Sequence, residues 1–294
     1  MRRDLIIFTI MLMIATLYSC SNTRRSAAGG GDRVVHLSID DVEVIGDLIR
    51  HQQDYDSLFQ HPFMALLQEL HREHGMRITF YTYEHFGDGD GCVRIEDMPV
   101  KYRKDFRKAS DWLRIGFHSP RAKFDSLVSV AEFRDSYNNV NSAIAQFADS
   151  SFIASTLRLH YFFAPDSLLN ALTGVRNLLC ADDSNRLSYN LTASEAMTVA
   201  KGERIGKNDI TYRRTDARID DNYRILSDLK RLENVDTLVL FIHEWKFWHR
   251  PERDEHRSVA GKIKVRTSEL VNQKLFKETV KWLDNAGYDF SFLE

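Results

Sequence analysis

The chain has 294 residues, of which 43% are hydrophobic and 28% are charged, and its formal net charge is -2. This length suits one large domain, and the balance of 40 basic and 42 acidic residues argues against a nucleic-acid partner. Apart from Cys20, the chain has only Cys92 and Cys180, which is too few for a disulfide framework. These two either pair in an oxidising compartment or are isolated, and we expect isolated thiols. The oligomeric state is left open.

The N-terminus has the features of an export signal. Two arginines precede an apolar run over residues 5–17, which is too short to span a bilayer. The run ends at Leu17-Tyr18-Ser19-Cys20, which resembles a lipobox, and a polar, glycine-rich stretch follows. We predict a lipoprotein signal peptide over residues 1–19, and a lipidated Cys20 with a flexible tether over residues 20–31. The protein would then be anchored to a bacterial membrane on its periplasmic or cell-surface side. The alternative, a buried cysteine after an uncleaved anchor helix, fits the abrupt change to polar sequence less well.

From residue 32 onward, apolar runs rich in β-branched and aromatic residues alternate with helical patterns, which is typical of repeated βα units. We predict one α/β domain over residues 32–294. Apolar residues at helical spacing predict helices around residues 133–147 and 271–283. The predicted strands cover residues 34–39, 77–83, 113–118, 157–162, 175–180 and 236–243, with a further strand around 209–214 in a charged, irregular stretch.

Polar side chains of unusual type follow three of these strands. Asp40 and Asp41 end the first strand, His118 ends the third, and His243 ends the last. Because the carboxyl ends of parallel strands meet on one face of an α/β barrel, we expect these side chains to converge. Taken alone, the Asp-Asp pair would more simply be a solvated turn.

Motifs at these strand ends resemble those of the NodB-type polysaccharide deacetylases, carbohydrate esterase family 4. Ser38-Ile39-Asp40-Asp41-Val42 is similar to the family's Thr-Phe-Asp-Asp-Gly, Gly116-Phe117-His118-Ser119 to Gly-Asn-His-Ser/Thr, and Leu240-Phe241-Ile242-His243 to Leu-x-x-His. The resemblance implies a distorted (β/α) barrel. It also implies that Asp40 is the general base, that Asp41 and His118 bind a divalent metal, and that His243 is the general acid.

The chain departs from this family pattern at the metal site. The family's second histidine ligand follows the Ser/Thr by three residues, where this chain has Ala122. Arg158-Leu159-His160-Tyr161 corresponds to the family's Arg-x-Pro-Tyr, which implies that Arg158 orients the base and that the backbone N–H of Tyr161 helps to bind the oxyanion. We predict that His160, in place of the proline, supplies the missing imidazole, because two ligands would bind a divalent metal weakly. The alternative is a histidine that merely fills the proline's place.

Two further features have open interpretations. Asp182 and Asp183 are only loosely similar to the family's Asp-x-x-Asp-Trp; either Asp183 tunes the general acid, or both carboxylates cap a turn. Trp245 and Trp248 follow the general acid, and they either contact a saccharide or pack within their own loop.

Together these features predict a metal-dependent hydrolase that removes N- or O-acetyl groups from a saccharide outside the cytoplasm. The expected cofactor is zinc, with nickel or cobalt as alternatives, and the expected partners are an acetylated glycan and a membrane. The main alternative is a non-catalytic, glycan-binding lipoprotein that has lost its metal, to which the departures at Val42, Ala122 and His160 point. A hydrolase of the same barrel that acts on a different bond is a third possibility.

Overall fold

The computed structural model describes residues 33–123, 128–182, 188–248 and 257–294. The described residues from 33 onward form one compact unit. The predicted signal peptide, the lipidated Cys20, its tether and Asp183 lie outside the described residues. Within the described ranges, no helix is long and apolar enough to cross a membrane. Cys92 and Cys180 are free thiols.

Among the described residues, the larger sheet contains seven strands, and its centre is parallel. Its strands are β1 (Val34–Val42), β2 (Ile78–Phe86), β3 (Val93–Arg94), β4 (Leu113–Arg121), β9 (Ala217–Arg218), β10 (Thr237–His243) and β11 (Asp289–Phe290). The parallel strands lie in the order β4-β2-β1-β10-β9, with β3 antiparallel to β2, and β11 parallel to β1. Almost every residue of β1, β2 and β10 is buried, as expected of parallel strands that are covered on both faces.

The smaller sheet has four strands in the order β5-β6-β8-β7. They are β5 (Thr156–Leu157), β6 (Asn177–Leu179), β7 (Ile205–Lys207) and β8 (Ile210–Arg213). An isolated parallel bridge pairs Ile115 of β4 with Ile153, which precedes β5 in the chain. Among the described residues the strands form two sheets rather than one continuous ring. The predicted α/β fold is confirmed, and its strands are arranged as these two sheets.

Nine α-helices are present in the described ranges. They are α1 (Val44–Arg50), α2 (Pro62–His74), α3 (Arg103–Lys108), α4 (Val130–Phe147), α5 (Asp166–Leu169), α6 (Ala193–Ala200), α7 (Ile225–Arg231), α8 (Glu244–Phe247) and α9 (Val259–Asn285). The apolar stripe that predicted α4 is buried, and its Phe133 and Tyr137 rings meet the ring of Phe117 at 5.3 and 5.7 Å. The predicted helix around residues 271–283 lies within α9.

One predicted strand is wrong in most of its length. Residues 157–162 were expected to be extended, but β5 ends at Leu157 and a 3-10 turn covers His160–Phe162. Tyr161 and Phe162 have φ angles of 56° and 54°, in the left-handed region, and this backbone cannot continue a strand. The prediction over residues 175–180 is also too long, since β6 covers only Asn177–Leu179. The strand expected around residues 209–214 is present as β8.

Candidate active site

The carboxyl ends of β1, β4 and β10 open into one cleft of about 540 Å³. The register of β1 against β2 shifts between Ile39 and Val42, and Asp41 adopts a left-handed φ of 56° at this irregularity. In a regular strand, successive side chains point to opposite faces, so this local change lets Asp40 and Asp41 both line the cleft. The other predicted site residues that line it are His118, Arg158, His160, Tyr161, His243 and Trp245.

Asp41, His118 and His160 form a compact group whose ligand atoms all lie within 4.8 Å of one another. Asp41 Oδ1 is 3.3 Å from His118 Nε2 and 3.2 Å from His160 Nδ1. These two ring nitrogens are 3.1 Å apart. The structure therefore brings His160 to the other two predicted metal ligands, although it comes from the turn after β5.

Backbone carbonyls fix which ring nitrogen of each histidine carries a proton. His118 Nδ1 lies 2.5 Å from the carbonyl oxygen of Arg158, and His160 Nε2 lies 3.0 Å from that of Ala122. A carbonyl only accepts, so both of these nitrogens must be N–H donors. In neutral imidazoles the lone pairs then lie on His118 Nε2 and His160 Nδ1, which both face Asp41.

This arrangement requires a positive charge between the three side chains, because two lone pairs and a carboxylate otherwise face one another. Two nitrogens and one oxygen are a ligand set that suits zinc, so the residues present fit a divalent metal. Extra protons on the imidazoles would satisfy the same requirement. In that state burial opposes the ionisation of Asp41, but hydrogen bonds from His118 and His160 outweigh it and hold the pKa of the carboxyl well below its ordinary range. Asp41 is negatively charged in either case.

Asp40 forms a buried ion pair with Arg158, and the two residues are 2% and 1% exposed. Arg158 Nη1 donates to Asp40 Oδ1 at 2.9 Å and to Ser38 Oγ at 2.7 Å, while Nη2 donates to Thr215 Oγ1 at 3.0 Å. The guanidinium also lies 4.4 Å from the ring centroid of Phe241. This geometry fits the orienting role that the resemblance implies for Arg158.

His243 is paired with Asp220, a residue that the sequence analysis missed. Asp220 Oδ1 lies 3.1 Å from His243 Nδ1 and accepts the backbone N–H of the same residue at 3.2 Å. Burial lowers the pKa of His243, but the hydrogen bond and charge of Asp220 outweigh it, so the net shift is upward. The predicted partner of His243 was Asp183, which lies outside the described residues, and the neighbouring Asp182 lies 3.9 Å from Arg218. No motif marks Asp220, which follows β9 in the stretch that was expected to be irregular.

Tyr83 is a second residue that the sequence analysis missed. Its hydroxyl donates to Asp41 Oδ1, and burial with the nearby Asp41 charge raises the pKa of the phenol, which stays protonated. The indole N–H of Trp245 donates to Asp41 Oδ2 at 2.9 Å. Since Tyr83 ends a predicted apolar strand, its pattern is that of an ordinary core residue.

The structure places the two predicted saccharide contacts, Trp245 and Trp248, in different surroundings. Trp245 is 45% exposed and Tyr161 is 66% exposed, and both line the cleft. Trp248 instead packs against His61 and Phe63, with ring centroids 5.5 and 5.7 Å away. For Trp248 the structure therefore favours loop packing.

Comparisons with known proteins give structural likenesses at low sequence identity. No family model matches the chain, and no curated protein matches it. A 4-alpha-glucanotransferase from Thermococcus litoralis is 15% identical, with a TM-score of 0.53, over 89% of this chain and 40% of the other. The esterase-type domain of a multidomain xylanase from the hindgut metagenome of Trinervitermes trinervoides is 10% identical, with a TM-score of 0.43, over 90% and 88%. A family 4 carbohydrate esterase from Streptomyces lividans is 10% identical, with a TM-score of 0.44, over 89% and 93%.

These likenesses concern the fold alone, since every identity is below 25%. The chain spans less than half of the glucanotransferase, the one of the three with a TM-score above 0.5.

Proposed function

We propose that the protein is a metal-dependent hydrolase that removes N- or O-acetyl groups from a saccharide outside the cytoplasm. The observation that carries the proposal is the orientation of the two imidazoles. The carbonyls of Arg158 and Ala122 leave His118 Nε2 and His160 Nδ1 as lone-pair donors beside Asp41. Two imidazole lone pairs and a carboxylate oxygen that face one another are a ligand set that suits a divalent cation.

A base and an acid flank this group on neighbouring strands. Asp40 and His243 are register partners in β1 and β10, so both side chains stand at the same level of the sheet. A bound divalent metal would polarise the attacking water and the acetyl carbonyl. Asp40, held by Arg158, accepts a proton from the water, and His243, held by Asp220, gives a proton to the leaving nitrogen or oxygen. Water and the acetylated sugar thus become acetate and the free amine or alcohol.

Tyr161 is suited to bind the oxyanion through its backbone N–H, because its left-handed backbone turns the chain at the cleft. In well-studied hydrolases one such donor is worth about 3 to 4 kcal/mol of transition-state stabilisation. The exposed rings of Tyr161 and Trp245 offer flat faces on which a sugar ring can stack. The predicted lipid on Cys20 would hold the cleft outside the cytoplasm, where acetylated glycans are met.

The test is the metal content of the purified chain from residue 21 onward, measured by mass spectrometry beside an Asp41→Ala, His118→Ala double variant. We expect about one zinc, nickel or cobalt per chain, lost in the double variant, and acetate release from a panel of acetylated glycans. Absence of metal from both proteins after supplementation would overturn the enzyme proposal.

A non-catalytic, glycan-binding function is the second candidate, and the replacement of a family ligand by Ala122 favours it. On that proposal, glycan retention would persist in the double variant and no acetate would be released. Glycan retention, measured beside acetate release, therefore separates the two candidates.

A further inference from the structure

We infer that Tyr83 and Trp245 are positioning residues that hold Asp41 as a one-oxygen ligand of the proposed metal site, on which this inference rests. The two oxygens of Asp41 have different partners. Oδ1 faces the two imidazoles and accepts the hydroxyl of Tyr83, whereas Oδ2 accepts the indole N–H of Trp245 at 2.9 Å.

Tyr83 and Trp245 fix the orientation of the Asp41 carboxylate, which strand pairing does not set. Asp41 lies at the irregular end of β1 with a left-handed φ of 56°, so regular strand pairing does not set the direction of its side chain. Rotation about the last side-chain bond of an aspartate exchanges its two oxygens. A hydroxyl from β2 on one oxygen and an N–H from α8 on the other oppose that rotation, because they come from separate elements.

The hydrogen bond from Trp245 to Oδ2 limits how Asp41 can coordinate a metal. With Trp245 bonded to Oδ2, only Oδ1 is directed at the two imidazoles, so the protein supplies one oxygen and two nitrogens. Catalytic zinc sites have three protein ligands and an open position for water or substrate, whereas structural sites are closed. Trp245 therefore helps to keep this site open, a role distinct from the sugar contact proposed above.

The packing of Tyr83 supports the same role. The Tyr83 ring lies 5.7 Å from the ring of His118, and it meets His160 edge-on at 5.8 Å. Its side chain is 1% exposed, so its hydroxyl has little freedom to turn away from the carboxylate. Tyr83 thus touches all three predicted ligands, and its loss should disturb their mutual geometry.

The test compares zinc affinity, by competition with a chromophoric chelator, in the unmodified chain, Trp245→Phe and Tyr83→Phe. Partners that orient metal ligands typically contribute about 10- to 100-fold to metal affinity, and we expect a loss in that range for each variant. Trp282→Phe and Tyr288→Phe are matched controls, because neither residue lines the cleft. Their rings pack against each other with centroids 6.3 Å apart, and the hydroxyl of Tyr288 donates to the carbonyls of Leu232 and Val235. The controls should leave the affinity unchanged.

Tryptophan fluorescence gives a readout that does not depend on activity. Zinc should change the emission of the unmodified chain and of Trp282→Phe, and most of this change should vanish in Trp245→Phe. Folding of each variant is checked by circular dichroism, and Trp245 is exposed enough for its replacement to be tolerated. Zinc binding that neither Tyr83→Phe nor Trp245→Phe weakens would overturn this inference alone. No zinc binding by the unmodified chain would overturn the proposed function and this inference together.

Discussion

Replacement of Arg158 by methionine should strongly destabilise the protein, because it leaves Asp40 buried without its partner. The guanidinium donates three hydrogen bonds within the site, at 2.7, 2.9 and 3.0 Å, and the two side chains are 1% and 3% exposed. Methionine keeps most of the apolar stem and removes all three bonds. Removing one partner of a buried ion pair costs about 3–5 kcal/mol. Since domains are stable by about 5–15 kcal/mol, Arg158→Met should lose a large part of that margin.

The loss is measured as the free energy of unfolding in urea, and it should also lower Tm by about 6–20 °C, at 2–4 °C for each kcal/mol in a domain of this size. The double variant Asp40→Asn, Arg158→Met should be less destabilised than the two single losses added together, because the amide can be buried without a counter-charge. A loss below about 1 kcal/mol in Arg158→Met, or simple additivity in the double variant, would refute the reasoning.

Three further outcomes follow from the contacts of the site. Asp220→Asn should lower the pKa of His243 in an NMR titration. Because the pKa of His243 is raised in the folded protein, the stabilisation from this pair is present at low pH and is lost as the pH rises through the folded-state pKa. The variant should therefore have a lower free energy of unfolding mainly at low pH. Glu244→Ala should lower the unfolding free energy in urea by about 3 kcal/mol, since the carboxylate accepts two backbone N–H groups at the start of α1, each at 2.9 Å, and a loss under ~0.5 kcal/mol would contradict this. His160→Ala should weaken zinc binding by at least about 100-fold, which is the upper end for partners that only orient ligands. Addition of Ala122→His to this variant should recover some affinity, and no recovery would argue against an exchange of ligands between these two positions.

The strand-end part of the site could be predicted from the sequence. Asp40, His118 and His243 each follow an apolar run, and the ends of parallel strands meet on one face whatever the details of the loops. The prediction thus needed only the strand order and direction, and the structure brings these residues into one cleft. His160 required the additional idea that a ligand missing at Ala122 is supplied elsewhere.

The remaining contacts depend on irregular backbone and could not be predicted in the same way. Asp220 reaches His243 from the end of a two-residue strand, and Tyr83 is one of many aromatic residues in buried strands. The turn at Tyr161 and Phe162 was predicted as a strand, because its apolar composition does not reveal two successive left-handed residues. Periodicity identifies buried faces, but it contains no information about such turns or about which buried tyrosine binds a carboxylate.

The position of His160 gives the site a physical reason to bind a cation. Its Nε2 is bonded to the backbone of Ala122, so the imidazole lies against the position at which the family pattern has its second histidine. Two neutral imidazoles whose lone pairs face each other at 3.1 Å and face a carboxylate repel one another. The arrangement becomes favourable only when a cation or extra protons lie between them. Metal binding and the stability of this part of the fold should therefore be coupled, so that removal of the metal with a chelator should lower Tm, and an unchanged Tm would contradict this reasoning.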